Sequence, residues 1–428
     1  MATPNTAETN PLGNFRWYVC VLLFFATTIN YIDRQILALL KPLLDEELHW
    51  TNEQFGLMNT AFQGAYGLGL LWFGWFVDRF GSKIGYAVSI AAWSLAAMAH
   101  AMVGSVGGFV AARAALGVSE GGNFPAAIKV VTLWFKPQER SFATSLFNSG
   151  ANVGAVVAPA LVPVVAYMWG WQAAFLLAGA AGFLWLIIWL RSYREPAEPA
   201  TTEPTPTDVA KARVPWSALL RYRQTWSFIV AKFLTDPVWW FFLIWLPDYF
   251  KQTRGLQLKE SWVHLVTIYL IITALSVVGG WITGYFASRG WSVTRARKTG
   301  MFIFALCVVP IFAATSVGDW TAVLLIALAG AAHQAWSANL YTTVSDMLPK
   351  RAVASVIGLG SFAGATGGML FPYFTGKLLD ASKDAGGITG GYTTLFTICA
   401  CAYLVAFAIH HVLAPRFEQI EKADDILK

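Results

Sequence analysis

The chain has 428 residues, of which 56% are hydrophobic and 13% charged, and its mean hydropathy is +0.53. That balance excludes a soluble multidomain enzyme, a secreted disulfide scaffold and a disordered hub, and it describes a membrane protein. The net charge of +6 comes from Lys and Arg scattered between apolar segments, so it implies no nucleic-acid partner.

Residues 1–15 are polar and lack a basic n-region, so a cleaved signal peptide is not expected. Beyond them, twelve apolar segments are each long enough to cross a bilayer core of about 30 Å as a helix of roughly 20 residues. They run near 17–40, 54–76, 84–103, 107–132, 141–168, 171–190, 225–250, 263–288, 299–317, 320–346, 352–379 and 392–413. The apolar runs are continuous, without period-two alternation, which excludes a barrel. Between the sixth and seventh spans, residues 191–224 form the longest loop. Its Pro, Thr and Glu cannot pack a core, and Trp216-Ser-Ala-Leu-Leu-Arg221 reads as a short amphipathic helix on the membrane surface. The expected organisation is therefore a six-helix bundle over 1–190, a linker over 191–224, a second six-helix bundle over 225–414 and a tail over 415–428.

Most basic residues outside the spans fall on one side: Arg16, Arg79, Lys83, Lys136, Arg140, the arginines of the linker, Arg289, Arg295, Arg297, Lys298, Lys350, Arg351 and Arg416 among them. The opposite side holds Lys41, Lys251, Arg254, Lys259, Lys377 and Lys383. The positive-inside rule then puts both termini in the cytoplasm. Cys20, Cys307, Cys399 and Cys401 all lie in apolar stretches without metal-site spacing and read as packing residues.

The halves repeat. Gly74-Trp-Phe-Val-Asp78-Arg79-Phe-Gly81-Ser-Lys83 after span 2 has a weaker partner in Gly280-Trp-Ile-Thr-Gly284-Tyr-Phe-Ala-Ser-Arg289 after span 8. Pro137-Gln-Glu-Arg140 is echoed by Pro349-Lys-Arg351. The two offsets agree, which implies a duplicated six-span unit rocking about a site at its interface.

On the first of these motifs the chain resembles the major facilitator superfamily over essentially its full length. Asn30-Tyr31-Ile-Asp33-Arg34 and Arg113-Ala-Ala-Leu-Gly-Val-Ser-Glu120 look like its anion:cation symporter family. Lys232-Phe-Leu-Thr-Asp236-Pro237, Trp245-Leu-Pro247 and Ala332-His333-Gln334-Ala335 resemble the hexuronate carriers within it, which take up galacturonate and glucuronate with protons. The resemblance implies proton coupling at Asp33 and Glu120, substrate or gating roles for Arg34 and Arg113, and a substrate-contacting Tyr66. One departure is Ala151, at a place where some aldonate carriers have glutamine; Asn148 or Asn152 would have to compensate.

The residues themselves point the same way. An ionised group at mid-bilayer costs about 2.5–3.5 kcal/mol on insertion scales, so such groups must face water or one another. Asp33 and Arg34 lie roughly 25 Å from the inner end of span 1. Arg113 and Glu120 share a face of span 4 but stand about 10 Å apart along it, too far to pair without a group between them. A guanidinium matches a carboxylate in two parallel bonds, and a desolvated carboxyl can exchange a proton near physiological pH. The competing reading is an interhelical packing network.

Lys232 and Asp236, spaced i, i+4, are expected to pair or to offer Lys232 as a second contact to an anion. Pro237 is expected to kink or unwind span 7 and free a carbonyl for a sugar hydroxyl. His333 and Gln334 are candidates for hydroxyl recognition or proton relay, with Ser337, Asn339, Tyr341, Thr342 and Ser361 as further hydrogen-bonding groups. Tyr31, Gln63, Tyr66 and Asn152 serve the first half. Trp239, Trp240, Trp245 and Trp336 are candidates for stacking on a pyranose ring. Asp78, Arg79, Lys83 and Arg140 are candidates for charge pairs that close the cytoplasmic mouth.

No metal cluster, nucleophile motif or nucleotide loop is present, so neither an enzyme nor a cofactor is expected beyond the proton as coupling ion. The expectation is an all-α polytopic protein of a bacterial inner membrane, a monomer that imports a sugar-acid monoanion, a hexuronate, together with protons. The alternatives are another organic anion (an aldonate, an aldarate or an aromatic acid), sodium coupling, or a sensor of the same fold that moves no solute.

Overall fold

The computed structural model describes residues 15–135, 137–196, 216–348 and 350–417. Among these every regular element is a helix. The first half contains α1 (Phe15–Leu48), α2 (Asn52–Phe80), α3 (Ser82–Ala99), α4 (Val106–Glu120), α5 (Asn123–Trp134), α6 (Pro137–Trp169) and α7 (Trp171–Ser192). After α8 (Trp216–Leu219) come α9 (Arg223–Arg254), α10 (Leu258–Ser288), α11 (Val293–Val308), α12 (Asp319–Met347), α13 (Lys350–Asp384) and α14 (Ile388–Leu413). The expected surface helix is thus a single turn. Most of the linker, 197–215, lies outside the described residues.

Local sequence sets the helix ends. Thr51 caps α2 reciprocally with Gln54, Ser105 accepts from Gly108 N to start α4, and Gly255 at φ 68° ends α9. Nine of the described helical segments are long and apolar enough to cross a membrane. The expected spans 2, 4 and 11 coincide instead with α2, the α4–α5 pair and α13, whose glycines and polar residues dilute their apolar content. Span 4 is not continuous as expected. It breaks at Gly121-Gly122, where two residues of poor helix propensity follow Glu120. The glycines there also permit backbone contact: a Cβ on Gly117 would lie 2.3 Å from Phe62 O, and one on Gly121 2.5 Å from Gly69 C. Helices α2 and α4 therefore touch main chain to main chain, as small residues allow within a membrane.

The halves meet through α1 with α9, α2 with α13 and α6 with α10. These pairings join the end of α1 to the end of α9 and the start of α2 to the end of α13, on the face opposite the chain ends and the linker. That face is called the far face below, and the other the linker face. The larger apolar core follows the same division. It passes from Ile36–Leu44, Trp50 and Phe55 of the first half into Phe241–Phe250 of the second, whereas a separate core around Tyr86, Trp134, Trp185, Trp189 and Tyr193 stays within the first half.

Candidate functional site

Helices α1, α2 and α4 bring four charges together in the first half. Arg34 Nε donates to Glu120 Oε2 at 2.6 Å. Arg113 Nη2 donates to the carbonyl of Arg34 and to Asn59 Oδ1, each at 3.2 Å. Arg34 is thus the group that spans the gap between Arg113 and Glu120. Its guanidinium carbon lies 4.4 Å from the Tyr66 ring centre, 5.1 Å from Tyr31 and 5.6 Å from Phe62, where ring faces attract a desolvated cation. Asp33 sits about 100° round α1 from Arg34, yet it lies in the field of the same Glu120, Arg113 and Arg34.

This cluster is short of partners. Both oxygens of Asp33, both amide atoms of Asn30, Nε and Nη1 of Arg113 and Oε1 of Glu120 are buried without a hydrogen bond. Each such group costs about 1–3 kcal/mol, more when charged, so their concentration in one place favours use over packing. Access is uneven. Asp33 and Arg113 are each 1% exposed and Glu120 is 0%, while Arg34 keeps 9%. Tyr31, Tyr66 and Asn152 are half-buried. In this conformation Arg34 therefore stands at the rim, with Arg113 behind it bracing its backbone. Ala151 is buried, Asn148 exposed and Asn152 intermediate along α6, so the two asparagines supply polar groups near the position Ala151 leaves apolar.

In the second half Lys232 Nζ and Asp236 Oδ2 pair at 2.7 Å, with the ammonium 4.5 Å from the Tyr341 ring centre. Tyr341 hydroxyl and Ser361 Oγ are 3.4 Å apart. His333 Nδ1 lies 2.5 Å from the Tyr403 hydroxyl, and its ring stacks on Trp239 at 5.5 Å with the planes 7° apart. Gln334 is half-buried beside it. Two expectations are corrected. Trp245 and Trp336 are fully buried and line no cavity, leaving Trp239 and Trp240 as the half-buried pair. Helix α9 runs unbroken through Pro237. The carbonyl this proline frees, that of Phe233, is covered by α13, since a Cβ on Gly367 would stand 2.6 Å from it.

The far face is closed over the site by polar contacts between the halves. Lys41 Nζ, about 10 Å beyond Arg34 along α1, binds Asp248 Oδ1 of α9 at 2.7 Å and Asp45 Oδ2 at 2.6 Å. Tyr392 donates to the other oxygen of Asp248 at 2.5 Å. Rings of Phe55 and Trp245 flank the ammonium at 5.3 and 5.8 Å. Lys251 reaches Glu46 at 2.7 Å and the carbonyl of Pro42. Asp380, near the end of α13, accepts from Asn52 N, Asn52 Nδ2 and Glu53 N at 3.1, 2.8 and 2.7 Å, so it caps the start of α2 from the opposite half.

The expected linker-face gate gives a different picture. Arg79 is exposed, 5.8 Å from the Phe80 ring. At Lys83 the backbone N–H donates to Glu195 Oε1 at 3.1 Å. The side chains of Asp78 and Arg140 lie outside the described residues. Sequence reasoning missed Lys41, Asp248 and Asp380. The expected end of span 1 fell one residue short of Lys41, and charges near helix ends pass as topogenic.

Comparison with known proteins places these features in a family. The Major Facilitator Superfamily model matches residues 23–372. The chain is 30% identical over 428 residues to a hexuronate transporter of Escherichia coli strain K12, covering 97% of both chains. It is 26% identical over 385 residues to a D-galactonate transporter of Escherichia coli O6:H1, covering 86% of this chain and 90% of that protein. Its fold superposes with a TM-score of 0.80 at 18% identity on a bacterial homolog of the human lysosomal transporter Spinster in an inward-facing, unoccupied conformation, over 96% of this chain and 98% of that one.

Proposed function

The chain belongs to the Major Facilitator Superfamily, and from that premise we propose that it imports a sugar-acid anion, a hexuronate, by proton-coupled alternating access. It is a multi-pass transporter of the bacterial inner-membrane type, not an enzyme. The sugar acid follows from the relatives, named for hexuronate and galactonate, together with cations set in both halves, Arg34 and Lys232. Orientation follows from the positive-inside rule, which makes the linker face cytoplasmic. With the far face joined by Lys41–Asp248 and Asp380, the conformation is one closed toward the outside.

One observation carries the mechanism: the 2.6 Å bond between Arg34 and Glu120 at the rim of the buried cluster. A carboxylate on Glu120 occupies the guanidinium that an incoming carboxylate would need, so anion and proton loading are linked. Protonation of Glu120 frees Arg34 for the substrate, and return of the proton to the cytoplasm restores the internal pair and expels the anion. Asp33, without a bonded partner, is the second proton-holding group of the cluster. In the other half Lys232 supplies the opposing cation, while Tyr341, Ser361, Gln334 and the Trp239–His333 stack offer hydroxyl contacts and an aromatic wall.

Reconstituted protein tests this. Acid outside should drive accumulation of labelled galacturonate, and a protonophore should abolish it. Glu120→Gln should keep counterflow but lose accumulation. Wild-type accumulation by that variant, or undiminished accumulation with neither a pH nor an electrical gradient, would overturn the coupling. A requirement for sodium would select the other coupling ion.

A further inference from the structure

Away from the transport path, a groove of about 470 Å³ lies between α11 and α14, lined by Lys298, Thr299, Phe302, Phe407, Ala408, His411 and Val412. It is near the linker-face ends of both helices, since Lys298 is in the second turn of α11 and Val412 in the last turn of α14. Its walls face outward: Phe302 is 42% and Val412 70% exposed, in a chain whose outer surface is solvated by lipid.

The polar end of the groove is basic. Lys298 Nζ donates to Pro415 O at 2.7 Å and contacts His411 Nδ1 at 3.2 Å, and among the described residues no carboxylate bonds to it. An ammonium has three N–H donors, so one is without a hydrogen-bonded partner among the described residues, with the Phe417 ring centre 5.3 Å from Nζ. Arg295 stands one turn earlier on the same side of α11, exposed and 4.2 Å from the Trp291 ring centre. Trp and Arg together at a helix start mark the headgroup level, and Lys298 is only about 5 Å deeper along the axis from Arg295. The α11 N-terminus adds a positive helix end there. An apolar slot leading from this basic mouth toward the bilayer interior is complementary to one kind of molecule, a phosphodiester headgroup with attached acyl chains.

We propose that this groove binds one anionic phospholipid of the leaflet at the linker face, its phosphate held by Lys298 and His411 and an acyl chain laid against Phe302, Phe407 and Val412. The proposal rests on the membrane reading alone and is independent of the transported substrate.

The test uses the purified full-length protein, titrated with dioleoyl phosphatidylglycerol or dioleoyl phosphatidylcholine, with native mass spectrometry counting retained lipid and thermal melting following stability. Wild type should retain one phosphatidylglycerol in preference to phosphatidylcholine and melt higher with it. Lys298→Gln should weaken that retention about fivefold, the worth of one cation near an anionic lipid. Val412→Trp, at an exposed position that leaves the fold intact, should block the slot and lower retention with the charges unchanged. Equal retention of the two lipids by wild type, undiminished phosphatidylglycerol binding in Val412→Trp, or the same melting shift from inorganic phosphate would each overturn it.

Discussion

Replacing Lys41 by Met isolates the far-face closure. In the closed arrangement Lys41 is 1% and Asp248 0% exposed, and they bond at 2.7 Å across the two halves. The variant keeps the aliphatic bulk between Phe55 and Trp245 but leaves Asp248 buried with Tyr392 and a weak contact from Gln252 at 3.5 Å as its hydrogen-bond donors. Removing one partner of a buried pair costs about 3–5 kcal/mol because the survivor stays desolvated. That penalty falls on the closed state alone, since separated halves let water reach the carboxylate. The equilibrium should therefore move toward the outward-open form by roughly a hundredfold to a few thousandfold. The second pair is a control. Glu46 is 69% exposed, so Glu46→Gln, which leaves Lys251 on the carbonyl of Pro42, should shift the equilibrium by only about 0–1 kcal/mol. Electron–electron resonance between spin labels at Gly104→Cys and Gly318→Cys reads the outcome, because both positions are open space. A distance distribution in Lys41→Met identical to wild type would refute the assignment of this pair as the closure.

Two further changes probe the first half. Arg34→Lys keeps the charge but loses the planar fork that faces Glu120, so galacturonate should still raise the melting temperature, with affinity reduced by about tenfold or more. Arg34→Ala should abolish that response, and an intact response there would exclude Arg34 as the anion contact. Gly69→Val tests the packing under the site. A Cβ there would stand 2.2 Å from Val118 O, so the variant should lose its monodisperse elution in detergent or melt at least several degrees lower. A stable Gly69→Val protein would show that α2 and α4 do not approach as closely as described.

The fold was legible because lipid permits so few solutions: long apolar runs with charges sorted to one side mean a polytopic helical protein. The site charges were legible for the same reason, since Asp33, Arg34, Arg113, Glu120 and Lys232 each break an apolar run. Which of them pair was not legible. That Arg34 reaches Glu120 depends on how α1 and α4 are turned, which no charge pattern sets: backbone contact at Gly117 and Gly69 holds α4 against α2, and contact at Gly150 and Gly154 of α6 holds α1. The interruption at Gly121-Gly122 was hidden because glycines are ordinary in membrane helices. The closure was hidden because Lys41 and Asp380 stand near helix ends, where a charge carries no energetic warning, and become informative only when the partner half is in place.

An ionic closure also suits a gate that must open. Apolar surface that is parted and wetted costs about 25 cal/mol per Å² with nothing returned. A buried ion pair regains hydration as it separates, and its desolvation penalty nearly cancels its attraction. The Lys41–Asp248 contact can thus specify the closed geometry while adding little to the barrier against leaving it. The prediction that follows is opposite to that for Lys41→Met. Replacing the charges together, Lys41→Met with Asp248→Leu and with Asp45→Asn, whose amide oxygen still accepts from Trp50, and adding Tyr392→Phe so that no hydroxyl loses its acceptor, should convert the closure into an apolar seal. Exchanges of this kind are neutral or stabilising by about 1–4 kcal/mol. The combined variant should therefore melt at or above the wild-type temperature, keep the wild-type distance between labels at positions 104 and 318 and bind galacturonate, yet transport it more slowly because the outward-open state becomes rare. Transport at the wild-type rate with the far face locked shut would show that the halves do not part along α1 and α9.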